Sequence, residues 1–150
     1  MAQEQFVHRY IGRAIPEDYL EWRAEKWGVY APDCGTDVNG QTMILEHFNI
    51  PHQRFTGDLD DINQALSEHK DIIIGVDARD FYENPSIPPG SGHAVAIVGA
   101  GIDPESHEVA GYYITDSNYP NSAHFVEIDR LSNSWDNDLI TIPEKEFSIV

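Results

Sequence analysis

Asp71-Ile72-Ile73-Ile74-Gly75-Val76 and, after a Pro/Gly-rich interval, His93-Ala94-Val95-Ala96-Ile97-Val98 are the two stretches on which the fold turns. Each is a continuous apolar run rich in β-branched residues, the pattern of a strand covered on both faces. Between them, Arg79 to Gly92 holds Pro85, Pro88, Pro89, Gly90 and Gly92 and is expected as a long loop. Downstream, a third strand is expected at Val109–Thr115. The turn-rich segment Asp116-Ser117-Asn118-Tyr119-Pro120-Asn121 leaves it, followed by a short helix near Val126 to Trp135 and a last extended piece at Leu139–Ile142.

Upstream the period is helical. Pro16 suits a first helical turn, and Tyr19, Leu20, Trp22, Arg23 and Trp27 follow at loosely helical spacing. Val29 to Asp33 is expected as a loop, because Pro32 disfavours helix at Ala31. A helix is then expected from about Cys34. It places Val38, Leu45 and Phe48 on one face with Ile44 beside them, at a cost of roughly 1 kcal/mol for Gly40, and Asn49-Ile50-Pro51 ends it. Asp58 caps a second helix running to about His69 with Leu59, Ile62 and Leu66 inward. Helices first and strands later is the α+β order, not the alternation of βαβ units.

With 150 residues and no repeat, low-complexity tract or linker, the chain is read as one domain, residues 1–28 forming an N-terminal arm and 29–150 the core. At 41% hydrophobic and 11% aromatic it has the composition of a folded protein. A net charge of −17, from 26 acidic against 9 basic residues, argues against phosphate-mediated nucleic-acid binding and against an anionic membrane surface. No apolar run nears the ~20 residues of a membrane span, and no charged-then-apolar signal sequence opens the chain. The single cysteine, Cys34, excludes an internal disulfide framework and is either a small buried hydrophobe or a reagent.

Cys34, at an expected helix start behind a Pro-containing loop, would face unpaired N–H groups and the positive end of the helix dipole. Both favour the thiolate. His93 opens a buried strand after Pro88-Pro89-Gly90-Ser91-Gly92, where an imidazole can face a cleft, take the thiol proton and return it to a leaving amine. Asp116 ends the next strand. If the two strands are neighbours its carboxylate can accept the imidazole N–H and fix the tautomer, with Asn118 as a nearby substitute. Taken singly, each has an ordinary explanation: a packed thiol, a strand-capping histidine, a turn aspartate. Together they supply nucleophile, base and orienting group.

The segments Asp33-Cys34-Gly35-Thr36, Ser91-Gly92-His93-Ala94-Val95-Ala96-Ile97-Val98-Gly99 and Ile114-Thr115-Asp116-Ser117 resemble the compact bacterial papain-like cysteine peptidases, above all the double-glycine (bacteriocin-leader) peptidase group. The helix start at Gly57 to Asp61 and the late Leu131 to Trp135 helix fit the same frame, and the resemblance runs from about Tyr30 to Ile142. It implies an α+β papain-like fold in which an N-terminal cysteine helix packs on a small, mostly antiparallel sheet carrying His93 and Asp116. It also implies thiolate attack on a peptide carbonyl and an acyl-enzyme. His93 follows Cys34 at less than half the ~130-residue separation of papain-type enzymes, which favours the compact branch. One feature departs. The group places a glutamine six or seven residues before its cysteine as oxyanion donor, and here Gly28 and Trp27 stand there. The Cys34 backbone N–H is one donor; Trp27, Tyr30 and Gln41 are candidates for a second, and loss of one such donor typically costs ~100- to 1,000-fold.

No cofactor or metal is expected. His8, His47, His52, His69, His107 and His124 lack zinc-site spacing, and Asp58, Asp60 and Asp61 lack the glycine and closing glutamate of a calcium loop. Gly99-Ala100-Gly101 lacks the third glycine of a dinucleotide fingerprint, whose place Pro104 holds. The expected function is a cysteine peptidase acting on a specific protein or peptide, a basic one being favoured by electrostatic steering. A stand-alone processing enzyme or a delivered bacterial effector toxin with a cognate inhibitor or immunity protein suits the chain, with the cytoplasm, of the producing or a target cell, as the reducing site of action. The alternatives are a papain-like deamidase or acyltransferase using the same triad, and a non-catalytic acidic binding or inhibitor domain.

Overall fold

The computed structural model describes residues 30–31, 35–36, 38–116 and 119–143. Its elements in chain order are β1 (Tyr30–Ala31), β2 (Gly35–Thr36), α1 (Val38–His47), β3 (Gln53–Thr56), α2 (Leu59–Ser67) and β4 (Asp71–Asp77). Then come α3 (Ala78–Tyr82), β5 (Gly92–Ile102), β6 (Val109–Asp116), β7 (Tyr119–Glu127), α4 (Ile128–Ser134) and β8 (Trp135–Ile142). β1 and β2 form a small antiparallel pair. The other strands make one sheet in the order β3-β8-β4-β5-β6-β7, antiparallel at every junction.

β4 and β5 lie at the centre of that sheet as expected, with Ile74 opposite Val95 and Val76 opposite His93. Alternation divides their side chains between two cores. Ile72, Ile74, Val76, Val95 and Ile97 pack with Tyr112, Ile114, Val126 and Leu139 against Ile62 and Ala65 of α2, Phe81 of α3 and Leu131 of α4. The other face receives α1: a methyl on Gly75 would come within 2.6 Å of Val38. With helices on both faces, neither strand has a polar side, which is why both read as unbroken apolar runs.

α1 buries Val38, Ile44 and Leu45 as its spacing predicts, and Ile50 N–H donating to Leu45 O at 2.9 Å closes it near the expected stop. α2 carries the expected cap: Asp58 accepts from Asp61 N–H while Asp61 accepts from Asp58 N–H, a reciprocal capping box.

Several expectations are corrected. α1 opens at Val38, not at Cys34; Gly35–Thr36 pair instead with Tyr30–Ala31 in a short antiparallel ladder. The Arg79–Gly92 loop begins with a helix, α3, whose cap Asp77 accepts from Arg79 N–H at 3.0 Å and from Gly90 N–H at 2.8 Å, tying both ends of the excursion together. β3 carries no apolar signature in the sequence, because all four of its residues are exposed. The chain also does not pass from a turn into a helix at Val126: β7 runs to Glu127, α4 covers only Ile128–Ser134, and Trp135 belongs to β8. From Ser122 to Glu127 only Val126 is buried, so no two-residue alternation marks that strand. The expected helix at Pro16–Trp27 lies outside the described residues. No described helix is long and apolar enough to cross a membrane.

Candidate active site

β5 and β6 are neighbours, the condition on which the pairing of His93 with Asp116 depends. His93 is the second residue of β5 and Asp116 the last of β6, so both project from strand ends. Thr115 lies opposite Ala96, which sets Asp116 diagonally across from His93, on the face that holds Val95 and Ile114. Nε2 of His93 lies 2.9 Å from Asp116 Oδ1, and each residue is only 5% exposed. A carboxylate can only accept, so Nε2 carries the hydrogen and Nδ1 is the nitrogen left to exchange a proton with another group.

A third side chain, not singled out from the sequence, completes the cluster. The Tyr82 hydroxyl at the end of α3 donates to Asp116 Oδ2 and stands 3.1 Å from His93 Nε2. No sequence signal marked it, since it sits in a segment read as loop. Its place is set by α3, which follows directly from β4, the strand paired with His93. Tyr82 and Asp116 form one wall of a cavity of about 660 Å³ whose other walls include Phe81, Ile114, Phe125 and Arg130.

Cys34, Trp27, Asn118 and the Tyr30 hydroxyl lie outside the described residues. The backbone of β2, just after Cys34, packs against β5. Because the helix starts four residues later than expected, helix-dipole activation of the thiol gains no support from α1. Of the oxyanion candidates, Gln41 is placed: it is buried on α1 at 2% exposure, with an Oε1 that has no hydrogen-bond partner among the described residues. An unmet buried acceptor of that kind costs about 1–3 kcal/mol. Beside the start of α1, Asp136 points its carboxylate at the space over Gly75. Partial burial raises its pKa above the ordinary aspartate value, against the pull of a hydrogen bond from Asp138 N–H.

The discounted signals have structural uses. Asp58 and Asp61 cap α2, and Gly99-Ala100-Gly101 lies inside β5 rather than in a phosphate-binding turn. His52 Nδ1 bonds Ile50 O at 2.8 Å. Among the described residues no group of three His, Cys, Asp or Glu side chains is placed to hold a metal.

No family model matches this chain. No curated protein matches it either. Among solved structures, the peptidase domain of Streptococcus ComA, a bifunctional ABC transporter of a quorum-sensing pathway, is similar over 92% of this chain and 85% of its own. The TM-score is 0.59 and the identity 13%. At that identity the likeness is one of fold. It agrees with the resemblance to double-glycine peptidases carried by the sequence around Cys34, His93 and Asp116.

Proposed function

We propose that the protein is a cysteine peptidase that cleaves a specific protein or peptide with Cys34 as nucleophile, His93 as general base and acid, and Asp116 as the orienting residue. The observation that carries this reading is the buried His93–Asp116 pair, built from two neighbouring strands in a chain whose fold is similar to that of a peptidase domain. With Nε2–H held by the carboxylate, Nδ1 takes the Cys34 proton. The thiolate adds to the scissile carbonyl carbon, and the tetrahedral intermediate collapses as the imidazolium protonates the departing amine. Water, deprotonated by the same imidazole, then adds to the thioester, and collapse releases the acid and restores the thiol. The net charge of −17 favours a substrate with basic residues, and the free thiol favours a reducing compartment, whether the cytoplasm of the producing cell or of a cell into which the protein is delivered as an effector.

The test is the pH dependence of Cys34 alkylation by iodoacetamide, with and without His93→Ala. The reading expects a thiolate that reacts well below the ordinary thiol midpoint of ~8.5 and loses that reactivity with the imidazole. An ordinary midpoint, indifferent to His93→Ala, overturns it and leaves an acidic binding domain as the better account. A gain of about 1 Da in a target protein without chain cleavage, abolished by Cys34→Ala, assigns the same triad to deamidation instead.

A further inference from the structure

Tyr82 is the polar side chain at this site that the triad chemistry leaves without a part. Its hydroxyl donates to one oxygen of Asp116 while His93 Nε2 occupies the other at 2.9 Å. Its ring lies 5.8 Å from the imidazole, tilted by 43°. The fold sets this position from several sides. α3 follows directly from β4, whose Val76 is the partner of His93. Asp77 caps the helix, Arg130 Nε donates to the carbonyl of Phe81 at 2.6 Å, and Glu83 ends the turn in the left-handed conformation at φ 52°.

We propose that Tyr82 is a positioning residue for the His93–Asp116 pair, holding the carboxylate by its second oxygen and drawing off part of the charge that the imidazole would otherwise meet. The inference rests on the peptidase reading above. A carboxylate engaged at one oxygen can still turn about its Cβ–Cγ bond; donors on both oxygens fix its plane, and with it the ring it orients. Each hydrogen bond to the ionised form also lowers the carboxyl's basicity, and a less basic carboxylate stabilises imidazolium less. His93 can then release its proton to the leaving amine more readily than it would beside an unshared carboxylate.

Among the described residues, the charged and titratable groups facing the hydroxyl are His93 on β5 and Asp116 on β6. Across the cavity stand His124 on β7 and Arg130 on α4, the latter also 3.5 Å from Glu83. The chain carries seven imidazoles, of which His124 also lines this cavity, so His93→Ala and His124→Gln serve to assign these two resonances.

The experiment is an NMR titration of the His93 ring in the full chain, for the wild type, Tyr82→Phe, and a protein carrying 3-fluorotyrosine at position 82. Removing the donor should raise the His93 midpoint by about 0.5–1 pH unit. The fluorinated phenol, a stronger donor of nearly the same shape, should lower it, and this variant keeps the test alive if Tyr82→Phe does not fold. An unchanged midpoint in the folded variants reduces Tyr82 to packing and overturns the proposal. A downward shift in Tyr82→Phe also overturns it, since the hydroxyl would then act as an acceptor for Nε2–H. The titration is readable whether or not Cys34 is reactive, so failure of the peptidase reading, seen in alkylation, is distinct from failure of this one.

Discussion

The strand pairs β4–β5 and β6–β7 share one sheet and one hydrogen-bonding pattern, yet they are built differently. In β4–β5 both faces are covered, and Ile73 on one side is as fully buried as Ile74 on the other. In β6–β7 only one face is covered: Tyr112, Ile114 and Val126 are buried, while Tyr113 and Phe125 stand 44% exposed on the outside, their rings 5.4 Å apart. His93 comes from the first pair and Asp116 from the second. The proposed site therefore sits on the seam between a part of the sheet fixed by burial and a part held on one side. Its geometry depends on the polar contacts that cross that seam as well as on the core beneath it.

Two substitutions separate those contributions. Asp116→Ala removes the cross-seam acceptor, and turnover on a peptide substrate should fall by about 10²–10⁴-fold, the usual worth of positioned acid–base catalysis. Asp116→Asn should retain much more activity, because its amide oxygen can still accept from Nε2–H. Equal losses in the two variants would mean that the negative charge, not the orientation, matters. Ile74→Ala acts on the mount instead. Ile74 is fully buried at the centre of the sheet, and the cavity left behind should cost about 2–5 kcal/mol in denaturant unfolding. A cost below about 1 kcal/mol would show that the central pair is less rigid than its burial implies.

The same contrast governs what the sequence discloses. Strands covered on both faces announce themselves as apolar runs, so β4 and β5 are legible from Ile72 to Val76 and from Ala94 to Ile97. Among the described side chains of the edge strands β3 and β7 only Val126 is buried, and Gln53, Arg54 and Ser122 look like loop residues because solvent, not a core, surrounds them. The site divides along the same line. His93 and Asp116 are legible because each is a polar residue at the end of a readable strand. Tyr82 is not, because its position depends on the turn of α3 against β4, which no periodicity encodes in a five-residue helix. The start of the first helix is illegible for a related reason. Gly35–Thr36 pair locally with Tyr30–Ala31, and a two-residue strand leaves no pattern to oppose helix propensity.

Glycines test whether the outer pair is as tolerant as its exposure suggests. At Gly111 on β6 an added Cβ would meet the Val126 carbonyl oxygen at 2.3 Å, a backbone atom held in the β6–β7 ladder. Gly111→Ala must therefore shift one strand against the other, and should lower stability by about 1–3 kcal/mol. At Gly101 on β5 the obstacle is the Phe125 ring at 2.5 Å, a half-exposed side chain that can swing outward. Gly101→Ala should cost less than about 1 kcal/mol, the range of a surface change with an adaptable neighbour. Parallel urea unfolding of the two variants decides the matter. If Gly101→Ala is the more damaging, the Phe125 ring is locked over the strands and the outer face is a packed surface in its own right.

Asp136 tests the opposite assumption, that the covered face of β4 is uniformly apolar. Gly75 leaves room there, and Val38 and the Asp136 carboxylate share it: an added Cβ would lie 2.6 Å from the first and 2.8 Å from the second. Partial burial is the main cause of the raised pKa of this carboxyl; the Asp138 N–H at 2.9 Å lowers it and the Asp138 charge raises it again. A folded-state pKa above the unfolded one means that the native protein holds this proton the more tightly. The stability it contributes is complete below the ordinary carboxylate value of ~3.9 and is lost as pH rises through the folded-state value. Asp136→Asn removes that loss and keeps an oxygen for Asp138 N–H. The variant should therefore melt slightly above the wild type at neutral pH, by the smallest margin of the four comparisons, and the gap should close as pH falls into the carboxylate range. A gap that persists unchanged in acid would trace the gain to packing over Gly75, and a variant that melts lower at neutral pH would show the charge to be favourable where it stands.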